Sequence, residues 1–164
     1  MKSSEFLIEY RGGSWRTIRN MVPEHWPDYV VKDWLYKKIP DTDSLIDIKE
    51  FVRGALNMFP VKEWKLETRE FSIGSFNPLI QKYLMANVNS GPPAHHPDYD
   101  VEITRHNAQA KKIASTGQAN QEPIICIDNP RNNGLSLMEG WHRTTQNLIA
   151  FPNGWKGRAW IGYL

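Results

Sequence analysis

With 164 residues, 40% of them apolar and seven tryptophans among them, the chain is long enough to bury one real core and too short for two independent domains. Twenty Lys and Arg against 18 Asp and Glu leave a formal charge of +2, which excludes a histone-like binder and confines any phosphate or nucleic-acid contact to local clusters. One cysteine excludes an internal disulfide, and no window approaches the roughly 20 apolar residues of a membrane span, so a cytoplasmic protein with no membrane partner is expected.

The opening "MKSSEFLIEYRGG" has an apolar run of only three residues, far short of a signal sequence. Between Pro27 and Ile39, Val30, Val31, Trp34 and Leu35 fall at helical spacing, with Pro27 at a tolerated first-turn position. After "IPDTDS", the residues Leu45, Ile46, Ile48, Phe51, Val52, Ala55 and Leu56 repeat that pattern, with Asp43 or Ser44 as N-cap, and Pro60 ends the helix. "VKEWKLETREFSIGSF" alternates through Trp64, Leu66 and Thr68 and then switches parity to Phe71 and Ile73, as a bulged strand or two short strands would. "FNPLIQKYLMA" restarts a helix with Asn77 as cap and Pro78 just inside it.

"NVNSGPPAHHPDYD" reads as a loop from its Gly, Pro, Asn and Asp content. Its His95, His96, Asp98 and Asp100 are metal-ligating types, but without any spacing that defines a site, so no metal site is assigned. Ile103, Ala110 and Ile113 suggest a helix from about Glu102 to Ala114. "EPIICID", "NPRNNG" and "LSLMEG" then read as a hairpin whose Asn133-Gly134 supplies positive-φ positions, with Cys126 a buried strand thiol. A helix from His142 and a final strand "GRAWIGYL" follow. The order of elements predicts an α+β fold: a small mixed sheet with helices over residues 61–164, and a helical N-terminal extension over 1–60 packed on that core.

"SLMEGWHRTTQNLIAF" carries the chemistry. Its helix opens on His142 and Arg143, although unpaired N–H groups and the macrodipole already make a helix start positive, so each cation there costs about 0.3–1 kcal/mol. Gly140 lets a ligand approach the backbone, and His142, Arg143, Thr144 and Thr145 surround it with donors, a cradle suited to phosphate. The competing reading is local: Glu139 pairs with Arg143 and His142 is an ordinary surface residue.

"LMEGWHRTTQNL", preceded by the helix, turn and strand of "AKKIASTGQANQEPIICID", resembles the ParB/sulfiredoxin-like superfamily over about residues 102–164. The resemblance implies a nucleotide-binding phosphotransferase or phosphohydrolase that takes ATP or CTP with Mg²⁺. Gly140, His142, Arg143, Thr144 and Thr145 would hold phosphate, with Glu139, His142 and Arg143 as the catalytic set. The same cradle would serve a nucleic-acid-acting module, a nuclease or a DNA or RNA binder. Trp141 stands where sulfiredoxins carry their catalytic cysteine, so sulfinic-acid reduction is not expected. No helix-turn-helix follows the core within these residues, so chromosome partitioning is not expected either.

The resemblance further implies that one of Arg105, His106 or Asn107 reaches the phosphates from the upstream helix, where a solvated helix face is the simpler explanation of all three. Trp141, Trp155 and Trp160, near Arg143, Lys156 and Arg158, would suit base stacking and phosphate tracking, although Trp160 also fits a core strand position. In a non-enzymatic alternative, the N-terminal helices dock on a partner protein through an exposed Trp26 or Trp34.

Overall fold

A computed structural model of the chain describes residues 15–39 and 44–164. The described residues form six α-helices and a four-stranded mixed sheet, an α+β fold. The helices are α1 (Trp15–Met21), α2 (Asp28–Val30), α3 (Leu45–Met58), α4 (Pro78–Ser90), α5 (Tyr99–Thr116) and α6 (Trp141–Ala150). The strands are β1 (Glu63–Phe71), β2 (Ile124–Asp128), β3 (Leu135–Glu139) and β4 (Trp155–Tyr163), in the order β1-β4-β2-β3. The described residues divide into two compact units, one of those up to Trp64 with Gly162–Leu164 and the other Lys65–Ile161.

In the first unit, α2 runs on through a π-helical turn, Val31–Leu35, and a 3₁₀ turn, Tyr36–Lys38. The apolar spacing of that segment points inward as its sequence predicts, but Trp26 and Trp34 are 1% and 5% exposed. They stack at 5.8 Å and meet Trp64 and Phe59 edge-on, so neither is the exposed docking residue that the sequence reading allowed. Arg19 shapes the connection out of α1. Its guanidinium donates to the carbonyls of Val22, Pro23, Glu24 and Trp26 and to the Asp28 carboxylate, so a turn with no ladder of its own has its acceptors satisfied.

Ser44 caps α3 by accepting from the Asp47 amide, while Asp43, the other cap candidate, lies outside the described residues. Ile48 and Val52 are the buried positions of α3; Leu45 and Ile46, counted in its apolar stripe, are exposed. Ile48 joins Ile18, Tyr36 and Ile39 in a buried cluster.

In the second unit, the parity switch after Glu70 has a different cause from a second strand. Ser72 and Ser75 form a reciprocal capping box around a 3₁₀ turn, Ile73–Ser75, which ends β1. Asn77 caps α4 through the Ile80 amide, and its side-chain amide donates to Ser136 on β3. The loop that follows is shorter than expected because α4 continues to Ser90 and α5 begins at Tyr99. β2 and β3 form the antiparallel hairpin, with a register irregularity at Ile125/Cys126 and positive φ at Asn133 and Gly134. β2 is buried throughout up to Ile127, which places Cys126 in the core. α4 and α5 both pack on α6, whose Thr144, Thr145, Gln146 and Asn147 are all buried. Among the described residues no helix is long and apolar enough to cross a membrane.

Candidate functional site

Gly140 ends β3 and caps α6 with φ 98° and ψ 27°, a left-handed conformation that side chains resist. A Cβ at this position would lie 2.6 Å from Ile124 Cγ2, so glycine is also required by the close passage of β2. Because glycine offers no capping side chain and the first turn contains no acidic residue, the amides of Trp141, His142 and Arg143 begin the helix without an intrahelical acceptor. The Thr144 amide is the first to be satisfied, by the Gly140 carbonyl at 2.9 Å.

The two cations do find carboxylates, though not Glu139. His142 Nε2 lies 2.6 Å from Glu102 Oε2 on α5, and Arg143 Nη1 lies 3.5 Å from Glu122 Oε2 in the loop before β2. Arg143 Nη2 also donates to the Pro123 carbonyl at 2.9 Å. Glu139 makes no ion pair among the described residues, so the local Glu139–Arg143 pairing is not formed. The half-buried imidazole thus contacts a helix, while the guanidinium contacts a loop.

Thr144 turns inward and its hydroxyl donates to the Gly140 carbonyl at 2.9 Å. This corrects its placement among the phosphate donors, because a fully buried hydroxyl already spent on its own backbone has no proton left to offer. Thr145 is also buried, but its hydroxyl has no partner. Three buried side-chain polar atoms among the described residues lack a hydrogen bond, and two of them, Arg143 Nε and Thr145 Oγ1, belong to this one turn. Such atoms are rare in native folds because each costs about 1–3 kcal/mol in lost solvation.

Of the three upstream candidates, Arg105 and Asn107 are exposed and His106 is buried. Arg105 Nη1 sits 3.6 Å from Glu102 Oε1. His106 packs edge-on against His142 at 5.9 Å, and its Nε2 accepts from the Gln146 amide at 2.7 Å. Burial, followed by the charge of His142, holds the His106 imidazole below the ordinary value of 6.5. A ring that accepts at Nε2 is neutral, with its proton on Nδ1, which agrees in direction with that shift.

The loop before β2 is itself pinned. The Asn120 amide donates to Asn147 Oδ1 at 3.0 Å, its side chain donates to Gln109, and its Oδ1 accepts from the Glu122 amide. Gln121 Nε2 reaches the Lys156 carbonyl at 2.8 Å, tying the same loop to the start of β4. Glu102 and Glu122 are therefore site residues that lie outside the motif, and nothing in the sequence marks them. Gln146 and Asn147 lie within it without a role assigned by the resemblance; their signal is "TTQN", a polar run in the middle of a helix whose flanks are apolar.

Trp141 is half-buried at the turn. Trp155 is buried and stacks on Phe71 at 5.8 Å, so it is a core residue and not a base-stacking surface. Trp160 is half-buried, on the same side of β4 as the exposed Lys156 and Arg158. In the loop preceding α5, His96 Nδ1 accepts from the Asp98 amide. No three His, Cys, Asp or Glu side chains are grouped to hold a metal ion among the described residues. Compared with models of known families, with curated proteins and with solved structures, the chain gives no match.

Proposed function

We propose that the turn from Gly140 to Thr145 binds the phosphates of a nucleotide, ATP or CTP, and that the protein is a phosphotransferase or phosphohydrolase of the ParB/sulfiredoxin-like type. The observation that carries this reading is the concentration of donors at one turn: the amides of Trp141, His142 and Arg143, which have no intrahelical acceptor, together with buried Arg143 Nε and Thr145 Oγ1, which lack a hydrogen bond. Charge agrees with it. The Glu122 carboxylate that faces Arg143 is 47% exposed at 3.5 Å, and such a pair contributes only about 0–1 kcal/mol, so a phosphate displaces it at little cost. Arg143 then presents its guanidinium to phosphate oxygens from a fixed position, because the Pro123 carbonyl holds Nη2.

Glu139, at the end of β3 and outside any ion pair among the described residues, is the carboxylate beside the turn that would hold Mg²⁺, which neutralises charge on the phosphates. Binding and orientation of the phosphates fall to the amides and Arg143, while the Nε2 of His142 is taken by Glu102. The test is thermal unfolding with ATP or CTP and Mg²⁺. The reading requires a nucleotide-dependent rise in Tm that Arg143→Ala abolishes, and no rise in the native protein overturns it.

A second reading, a nucleic-acid-acting module built on the same turn, is favoured by the exposed Lys156 and Arg158, which share a face of β4 with Trp160 and make no ion pair among the described residues. Binding of single-stranded oligonucleotide that weakens steeply with salt, without any nucleotide effect on Tm, would select this reading.

A further inference from the structure

We infer that Glu102, His106 and Gln146 arm His142 as the general base of the proposed site, and that the reaction served is hydrolysis of a nucleotide phosphoanhydride. The inference rests on the nucleotide reading above and names the carboxylate that works with His142, Glu102, which lies outside the motif.

The 2.6 Å contact fixes the proton on the imidazole. A carboxylate oxygen can only accept, so His142 Nε2 carries the hydrogen and the lone pair of the neutral ring is on Nδ1. Glu102 therefore does for His142 what an orienting carboxylate does in other acid–base pairs: it selects the tautomer, holds the ring and stabilises the imidazolium once a proton arrives. Arg105 Nη1 lies 3.6 Å from the other oxygen of Glu102.

His106 matters because it stays uncharged. Its ring stands edge-on to His142 at 5.9 Å, where a second cation would oppose the imidazolium formed in the step. The Gln146 amide, donating to His106 Nε2 at 2.7 Å, occupies the position that a proton would need. Glu102, Arg105 and His106 of α5 are the charged or titratable groups gathered at His142, beside Arg143 of its own helix. α4, also packed on α6, brings Lys82 and Tyr83, both exposed.

The side chains of His142 and Glu102 are 22% and 26% exposed, so both border solvent. In the step, a water oxygen bonds to the terminal phosphorus while its proton passes to His142 Nδ1. The bond from phosphorus to the bridging oxygen breaks, and its electron pair leaves with the nucleoside diphosphate, which needs no proton to depart. The imidazolium then returns its proton to solvent. Inorganic phosphate and nucleoside diphosphate are the products, and no oxidant or second substrate is required. His142 is the catalytic residue; Glu102, His106 and Gln146 are positioning residues.

The test uses the full chain with ATP or CTP and Mg²⁺, measuring phosphate release and nucleotide affinity separately for the native protein, Glu102→Gln, Glu102→Asp and His142→Asn. Glu102→Gln should lower release about 100-fold or more while nucleotide affinity is retained, with partial recovery in Glu102→Asp. Nitrogen NMR of the histidine rings supplies the readout that a merely structural role would not move: His142 should be the Nε2–H tautomer in the native protein, with that preference lost in Glu102→Gln. Undiminished release in Glu102→Gln, nucleotide binding without any release, or an Nδ1–H tautomer for His142 would each overturn the inference and leave the binding reading intact. A native protein that binds no nucleotide would overturn both.

Discussion

Replacing Gly140 with alanine should be the most disruptive single-methyl change at the site, and its cost has two separable parts. The backbone at φ 98° asks an L-residue for a conformation that costs about 1–2 kcal/mol. The new Cβ would also lie 2.6 Å from Ile124 Cγ2 and 3.1 Å from Ile124 Cβ and Arg143 Nη2, and forcing an extra methyl into a packed interior costs about 1–3 kcal/mol. The sum is about 2–5 kcal/mol against a total stability of about 5–15 kcal/mol. For a chain of this size that is a fall in Tm of about 4–20 °C. Gly117 provides the control, because it caps α5 at φ 65° with nothing within 4 Å of its would-be Cβ. Gly117→Ala should therefore show the backbone cost alone, about 1–2 kcal/mol. Thermal and denaturant unfolding of both variants measures the difference, which is the cost of the close approach between β2 and the turn. Equal losses in the two variants, or an unchanged Gly140→Ala, would refute the packing argument and with it the view that this bend is held rigidly for a ligand.

Other expectations rest on different parts of the fold. Arg19→Lys keeps the charge but cannot reach four carbonyls and a carboxylate at once, so it should destabilise the protein by about 2–4 kcal/mol in denaturant unfolding; a loss below half of that would show the clamp to be incidental. His106 has its pKa depressed in the folded protein, so its contribution is fully present above the unfolded value near 6.5 and is lost as pH falls through the lower folded value. The native protein should thus lose stability on acidification below about pH 6.5 more steeply than His106→Gln, and parallel pH–stability curves would contradict that. Cys126 is fully buried and its thiol is pushed far above the usual range, so a thiol reagent at pH 8 should label it only at the rate of unfolding; labelling of the folded protein within minutes would contradict its place in β2.

What could be read from the sequence was mostly local. Asn77-Pro78 announces α4 because cap and first-turn proline act within a few residues of each other, and Asn133-Gly134 marks the hairpin for the same reason. The glycine at 140 is legible too, since a strand running straight into a helix needs a sharp bend. The partners of the site are not, because Glu102 and His142 lie 40 residues apart and the sequence shows only that each is ionisable. Glu139 looks like the working carboxylate because it adjoins the motif, yet the hairpin and α5 bring a more distant carboxylate to the imidazole and leave Glu139 outside the pair. Thr144 fails as a donor for a similar reason: helical geometry returns its hydroxyl to the carbonyl four residues back. The placement of Trp26 and Trp34 needed the aromatic cluster itself, since helical spacing marks a buried face without saying what fills it.

The central claim is that a phosphorylated ligand sits on the uncapped start of α6. Backbone amide NMR during titration with ATP or CTP and Mg²⁺ tests it most directly. The amides of Trp141, His142 and Arg143 should move first and furthest, with the Thr144 amide, already bonded to Gly140, moving less. Shifts confined to other parts of the chain, or none at saturating nucleotide, would contradict it.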